Sequence, residues 1–420
     1  MTISLASDAG TAAVQRRTLR LLFATQIVSG MGVAIGSSVG ALLAADLAGV
    51  GLSGLAQSAA VVGGALAAIP ATAIVHRHGR RPSLAAAYGV AAVGALLVVL
   101  AAVRGSLPLL FLGFFLFGGA TAANLQARYA AVDLAPAALR GRHLSLIVWA
   151  TTIGAVAGPH LAAPAGVALS QFGIPTLAAP YFFSALLFVI TGIAVFALLR
   201  PDPALVAGTA GADGGAHRSL RAGLQAIIVR APAVLGVTAM AVGHMVMVGI
   251  MAMTPVHIRG AGHDAAHTLR IVGVVISVHI AGMYAFAPLI GWLTDRLGRR
   301  PLIFAGIALL VTACVLAGGA GYDSVRLGAG LFTVGLGWSC TMVAGSTLLT
   351  ESVPLERRAS AQGLSDLIMG LAGASAGALS GVVVSVWSYP ALALVAAIST
   401  VPLIVLGFAI RVELPNLKAT

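Results

Sequence analysis

Twelve apolar runs of membrane-crossing length, each closed by polar or arginine-bearing residues, restrict this chain more than any other feature. Lipid offers no partner to backbone N–H and C=O groups, so a segment that crosses it must satisfy them internally, as a helix or in a closed barrel. The runs fall at about 20–44, 53–75, 83–103, 107–130, 144–170, 178–199, 233–255, 271–293, 301–319, 327–350, 360–385 and 389–411, each long enough for a helix of about 20 residues. They are continuous rather than alternating, which argues against a barrel. A soluble domain carries about 25% charged residues, whereas here only 9% are charged and 59% are hydrophobic. The expected class is an all-α membrane protein of twelve transmembrane helices in two six-helix bundles. The 52 glycines suit helices that pack closely in lipid.

The net charge of +12 does not signal nucleic acid, because the cations sit in short clusters between apolar runs. With both termini cytoplasmic, every Lys and Arg except Arg104, Arg259, Arg270 and Arg326 falls on the inner side. That bias is the positive-inside pattern, and it predicts a multi-pass protein of the cytoplasmic (inner) membrane with an even number of spans. Arg16, Arg17 and Arg20 precede a first run too long for a cleavable leader, so it reads as the first span. Cys314 and Cys340 lie inside apolar runs and form no redox or metal motif.

The polar stretch Arg200 to Arg230 separates six spans from six. The expected organisation is an N-terminal bundle at 1–199, a cytoplasmic linker at 200–231 and a C-terminal bundle at 232–420. The halves repeat one another: His76-Arg77-His78-Gly79-Arg80-Arg81-Pro82 and Asp295-Arg296-Leu297-Gly298-Arg299-Arg300-Pro301 occupy the same place, between the second and third span of each half. Nucleotide-binding glycine loops and catalytic triads are missing, so neither an enzyme nor a resident cofactor is expected.

The second copy of that loop, from Gly291 through Asp295, Arg296, Gly298, Arg299 and Arg300, resembles the cytoplasmic signature of the major facilitator superfamily. The resemblance implies alternating-access transport, with Asp295 and its arginines acting as a conformational latch. In the first half His76 stands where the acid would be and Thr72 where the leading glycine would be. Gly154-Ala155-Val156-Ala157-Gly158-Pro159 is similar to the GxxxGP element of antiporter branches, and close packing is its simpler meaning. Asn124, Gln126 and Arg128 are candidates to line a cavity or to meet Asp133. Asp366 is the carboxylate set well inside a run, where burial would raise its pKa. It is a candidate for proton coupling, with a packing role as the alternative.

Substrate candidates concentrate between Met240 and Met283. At about 100° per residue, Met240, His244, Met247 and Met251 share one helical stripe, and His279 and Met283 share a face of the next span. Thioethers select Cu(I) and imidazole suits copper, while core packing remains the simpler account of a methionine stripe. Met247-x-x-x-Met251 with His279-x-x-x-Met283 resembles the paired motifs of the CcoA-type copper importers, which implies copper as transported substrate bound by those four residues. His244 is a spare ligand or a residue that orients one. His257, His263 and His267 are candidates to collect metal at the outer mouth, against ordinary solvated histidines. Expected partners are a copper ion and membrane lipid, with protons as the candidate coupling ion; no nucleic acid is expected and no oligomer is required. The rival reading is drug or metabolite efflux by proton antiport.

Overall fold

The computed structural model describes residues 2–136, 139–208 and 220–410. Arg218, Arg411 and Lys418 of the inner cation set lie outside the described residues. Among the described residues there are helices and turns and no strand. Twelve helical stretches are long and apolar enough to cross a membrane: Gly10–Ala48, Val50–His78, Arg80–Arg104, Leu107–Ala130, Arg140–Ser170, Ala179–Val206, Ala231–Arg259, Ala265–Leu297, Arg299–Gly318, Ser324–Ser352, Ser360–Val386 and Tyr389–Ala409. They are called the first to twelfth spans below.

Several spans depart from a plain helix, and in the fifth and the eighth the local reason is plain. The fifth is α-helical to Ala157, tightens to a 3₁₀ turn at Gly158–Leu161 and resumes at Ala162. Pro159 sits inside that turn and cannot donate to the helix ladder, which is the usual cause of such a change. The eighth starts at Ala265, six residues before the apolar run predicts, because Asp264 caps it: its carboxylate accepts the His267 backbone N–H at 2.9 Å. This span breaks after Tyr284 and restarts at Ala287. Pro288 follows at the start of the new helix and has no N–H for the Tyr284 carbonyl.

The chain packs as two compact units. The first comprises Met1–Gly49, Leu55–Gly214 and His263–Ser277. Here Gly154 and Gly158 let the fifth span approach the first at backbone distance: a Cβ on Gly158 would lie 2.7 Å from the Met31 carbonyl oxygen. The packing meaning of the glycine element is therefore the one observed. Its interior carries a buried polar network in which Gln26 Nε2 donates to Tyr88 Oη at 2.7 Å, and Tyr88 and Ser29 hydroxyls donate to Asn124 Oδ1 at 3.0 and 2.9 Å. Polar groups at this depth are tolerable because each meets a partner.

The second unit comprises Val50–Gly54, Gly215–Gly262 and Val278–Thr420. Its axis is the tenth span, whose glycines face three neighbours. Gly337 meets Leu310 and Gly306 of the ninth, Gly345 meets Gly236 of the seventh, and Gly335 meets the eighth. Short side chains bring backbones together where lipid supplies no hydrophobic drive for association.

Candidate functional site

Of the methionine and histidine candidates, His279, Met283 and His244 meet the tenth span. His279 is fully buried, and its Nδ1–H donates to the Leu331 carbonyl at 2.8 Å. A carbonyl can only accept, so Nδ1 carries the proton and Nε2 keeps a lone pair. That Nε2 is buried and has no hydrogen-bond partner among the described residues. One turn on, the Met283 backbone lies against Gly335: a Cβ there would fall 2.5 Å from the His279 carbonyl oxygen and 2.8 Å from Met283 N. Met283 is 8% exposed and Met247 4%, while Met251 is half-buried.

His244 reaches the same helix. Trp338 Nε1–H donates to His244 Nδ1 at 3.2 Å, which leaves the His244 proton on Nε2. Its ring lies over Gly373 of the eleventh span, where a Cβ would stand 2.6 Å from the imidazole Cδ2. Trp338 also meets Tyr284 of the eighth span edge-on, with centroids 5.8 Å apart. One indole thus touches the seventh and eighth spans together.

Helix rise sets the depths of the four candidates. Seven residues beyond His244 in the seventh span is Met251, and seven residues before Trp338 in the antiparallel tenth is Leu331, the partner of His279. At about 1.5 Å per residue both steps climb about 10 Å, so Met251 and His279 share a level. Met283, one turn on from His279, lies against Gly335, and by the same rise Met247, one turn before Met251, falls at that level. Other members of the stripe pack instead: Met240 belongs to an apolar cluster with Leu349, Val237 and Ala361.

Matches to known proteins give the context of this site. The Major Facilitator Superfamily is matched over residues 21–269 and 264–419. The uncharacterized MFS-type transporter YdeG of Bacillus subtilis is 37% identical over 393 residues, covering 93% of this chain and 90% of its own. The chain belongs to the Major Facilitator Superfamily. A second relative, the riboflavin transporter RfnT of Brucella anthropi, is 27% identical over 350 residues, with 80% of each chain covered. The crystal structure of the nucleoside transporter NupG shares the fold at TM-score 0.66 and 17% identity, over 94% of this chain and 98% of that one. As a Major Facilitator Superfamily member the protein is a transporter, and its family is generally not one of enzymes.

The superfamily's signature loops differ between the halves in where their acids come from. In the second, Arg299 makes a two-pronged pair with Glu351, Nη2 to Oε1 at 2.6 Å and Nε to Oε2 at 2.9 Å. Asp295 is 76% exposed and accepts from Arg299 at 3.3 Å, one helical turn away. Arg296 lies over Trp292, and Arg300 donates to the Gly407 carbonyl.

In the first half the missing acid is supplied from a distance. Asp202, at the end of the sixth span, accepts the backbone N–H groups of Arg80 and Arg81 at 3.1 and 2.7 Å, so its charge sits at the N-terminus of the third span. Arg80 pairs with Asp133 at 2.9 and 3.0 Å and also donates to Gln126. Arg80 with Asp133 and Arg299 with Glu351 are the same contact in the two repeats: the loop arginine takes an acid from the end of the next span but one. No local pattern announces Asp202 or Glu351.

Two expectations are corrected. Asp366 is exposed, so the burial on which its raised pKa depended is not there. The metal-collecting role of the outer histidines gains no cluster: among the described residues no group of three or more His, Cys, Asp or Glu could hold a metal. His257 is stacked on Tyr389 and Tyr322 at 4.3 and 5.0 Å, with its Nε2–H donated to the Gly321 carbonyl. His263 and His267 are exposed, their rings 4.5 Å apart at the start of the eighth span.

Proposed function

We propose that the protein imports copper as Cu(I) across the cytoplasmic membrane by alternating access, through a transient site made of Met247, Met251, His279 and Met283. The observation that supports this reading is the buried His279 lone pair. A polar atom at membrane depth with no partner is uncommon, and a lone pair on imidazole is a metal ligand in waiting. Thioethers at the same two levels are soft, uncharged donors that suit Cu(I). A site without formal charge binds the ion yet releases it, and it discriminates against Mg²⁺ and Ca²⁺, which require oxygen ligands. The Leu331 carbonyl holds the imidazole in the tautomer that ligation needs.

Copper content of cells with and without the protein tests the reading and its direction. Accumulation should rise with the protein and return to background in Met247→Leu, Met251→Leu, Met283→Leu and His279→Asn at unchanged membrane abundance. Parent-level accumulation in all four would remove the site, and a fall in copper with the protein present would reverse the direction to efflux.

A second reading is transport of a heteroaromatic solute. It draws on RfnT, a relative named for riboflavin, and on His244, Trp338 and Tyr284, which offer stacking surfaces and a ring N–H. Uptake of labelled riboflavin that survives His279→Asn but is lost in Trp338→Leu would favour it.

A further inference from the structure

The linker contains a helix, Leu220–Ile228, separated by two residues from the seventh span, which begins at Ala231. Its residues divide into three arcs at about 100° per position. Gly223, Ala226 and Ile227 are buried against the second unit, where Gly223 approaches the Ser360 carbonyl of the eleventh span. Leu220, Leu224 and Ile228, four apart, form an adjacent apolar stripe that is 56, 49 and 60% exposed, and Val229 after it is 78% exposed. Arg221 and Gln225 make up the third arc, both exposed, and exposed Arg230 closes the segment.

Among the described residues, protein covers one apolar arc and leaves the other open. Only Val229 and Arg230 connect the helix to a membrane span, so it cannot lie far from the lipid surface. An apolar stripe flanked by arginines is complementary to acyl chains below acidic headgroups. We propose that this helix is an interfacial lipid-binding element, with Leu220, Leu224 and Ile228 in the acyl region and Arg221 and Arg230 on acidic phospholipid headgroups of the arginine-rich leaflet. It thereby anchors the start of the seventh span, whose His244 and methionines lie further along the same helix.

Spin labels on the full chain test this. Leu224→Cys and Gln225→Cys, with Cys314 and Cys340 replaced by alanine, are labelled and reconstituted in phosphatidylcholine vesicles with and without phosphatidylglycerol. The label at 224 should collide several-fold more with oxygen than with a water-soluble nickel complex, and the label at 225 should do the reverse. Phosphatidylglycerol should carry the 224 label deeper, and Arg221→Gln with Arg230→Gln should abolish that difference. Equal access of both reagents at 224 would place the stripe in water. Access of neither would mean that protein, such as a second copy, covers it. A depth indifferent to phosphatidylglycerol or to the arginines would remove the headgroup contact. Each of these results overturns the proposal.

Discussion

His279 gives its Nδ1 proton to the Leu331 carbonyl, 2.8 Å away, and that contact decides which ring nitrogen is free. The two nitrogens can be tested separately. His279→Asn keeps a donor near the Nδ1 position and deletes Nε2, so copper accumulation should fall at least about tenfold while stability changes by less than about 1 kcal/mol. His279→Ala removes both and strands the carbonyl, so it should lose accumulation and about 1–3 kcal/mol as well. Copper uptake measured beside thermal unfolding in detergent separates the outcomes, and parent-level uptake in the Asn variant would end the ligand role.

The paired repeat contacts should differ in strength. Arg80 and Asp133 are 13 and 8% exposed at the side chain, whereas Glu351 is 50% exposed. Asp133→Ala leaves a buried guanidinium short of its counter-charge and should cost about 3 kcal/mol. Glu351→Ala breaks a solvent-screened pair and should cost below about 1 kcal/mol. Denaturant unfolding of the two variants checks the order, and equal costs would mean the repeat is energetically symmetrical.

Asp202 should behave as a cap delivered from the far end of its bundle. Asp202→Ala frees the Arg80 and Arg81 N–H groups and should cost about 1–2 kcal/mol, with Asp202→Asn costing less because one oxygen still accepts. Gly79→Ala should be worse than either. Its φ of +91° is a glycine conformation, and a Cβ there would meet Asp202 Oδ2 at 2.5 Å. Thermal unfolding midpoints in the order parent, Asn, Ala, Gly79→Ala are expected.

Acid should loosen the start of the eighth span. The His267 N–H bonded to Asp264 is the largest influence holding its carboxyl below the ordinary value, helped by the Ala266 N–H and by the charges of His267 and Arg270 against slight desolvation. A carboxyl whose pKa is lower in the folded than in the unfolded protein stabilises fully above its unfolded pKa, and that gain disappears as pH falls through the folded value. Protection factors of the amides at residues 265–268, which are corrected for the intrinsic slowing of exchange in acid, should therefore fall as pH is lowered from about 6 to about 3, and that fall should vanish in Asp264→Asn.

The spans, the repeat and the family were legible because each rests on local information: run length for the helices, and Gly79-Arg80-Arg81 and Gly298-Arg299-Arg300 for the duplicated loop. What could not be read was which acid each arginine takes. Asp133, Asp202 and Glu351 lie 53, 122 and 52 positions from their partners, and nothing in a one-dimensional pattern links them. Burial of Asp366 failed for a related reason: residence in an apolar run does not say which side of the helix faces protein. The Met247, Met251, His279 and Met283 spacing was readable, but the use of Leu331 as the imidazole's acceptor was not, since every residue carries a carbonyl.

Of the four tryptophans in the chain, Trp149, Trp292 and Trp387 are 60, 51 and 69% exposed, while Trp338 is 9% exposed between His244 and Tyr284. The protein therefore carries a built-in optical reporter beside its candidate site. With the other three changed to phenylalanine, Trp338 emission alone would register whatever arrives there, giving occupancy in a purified sample without any label or any transport across a membrane.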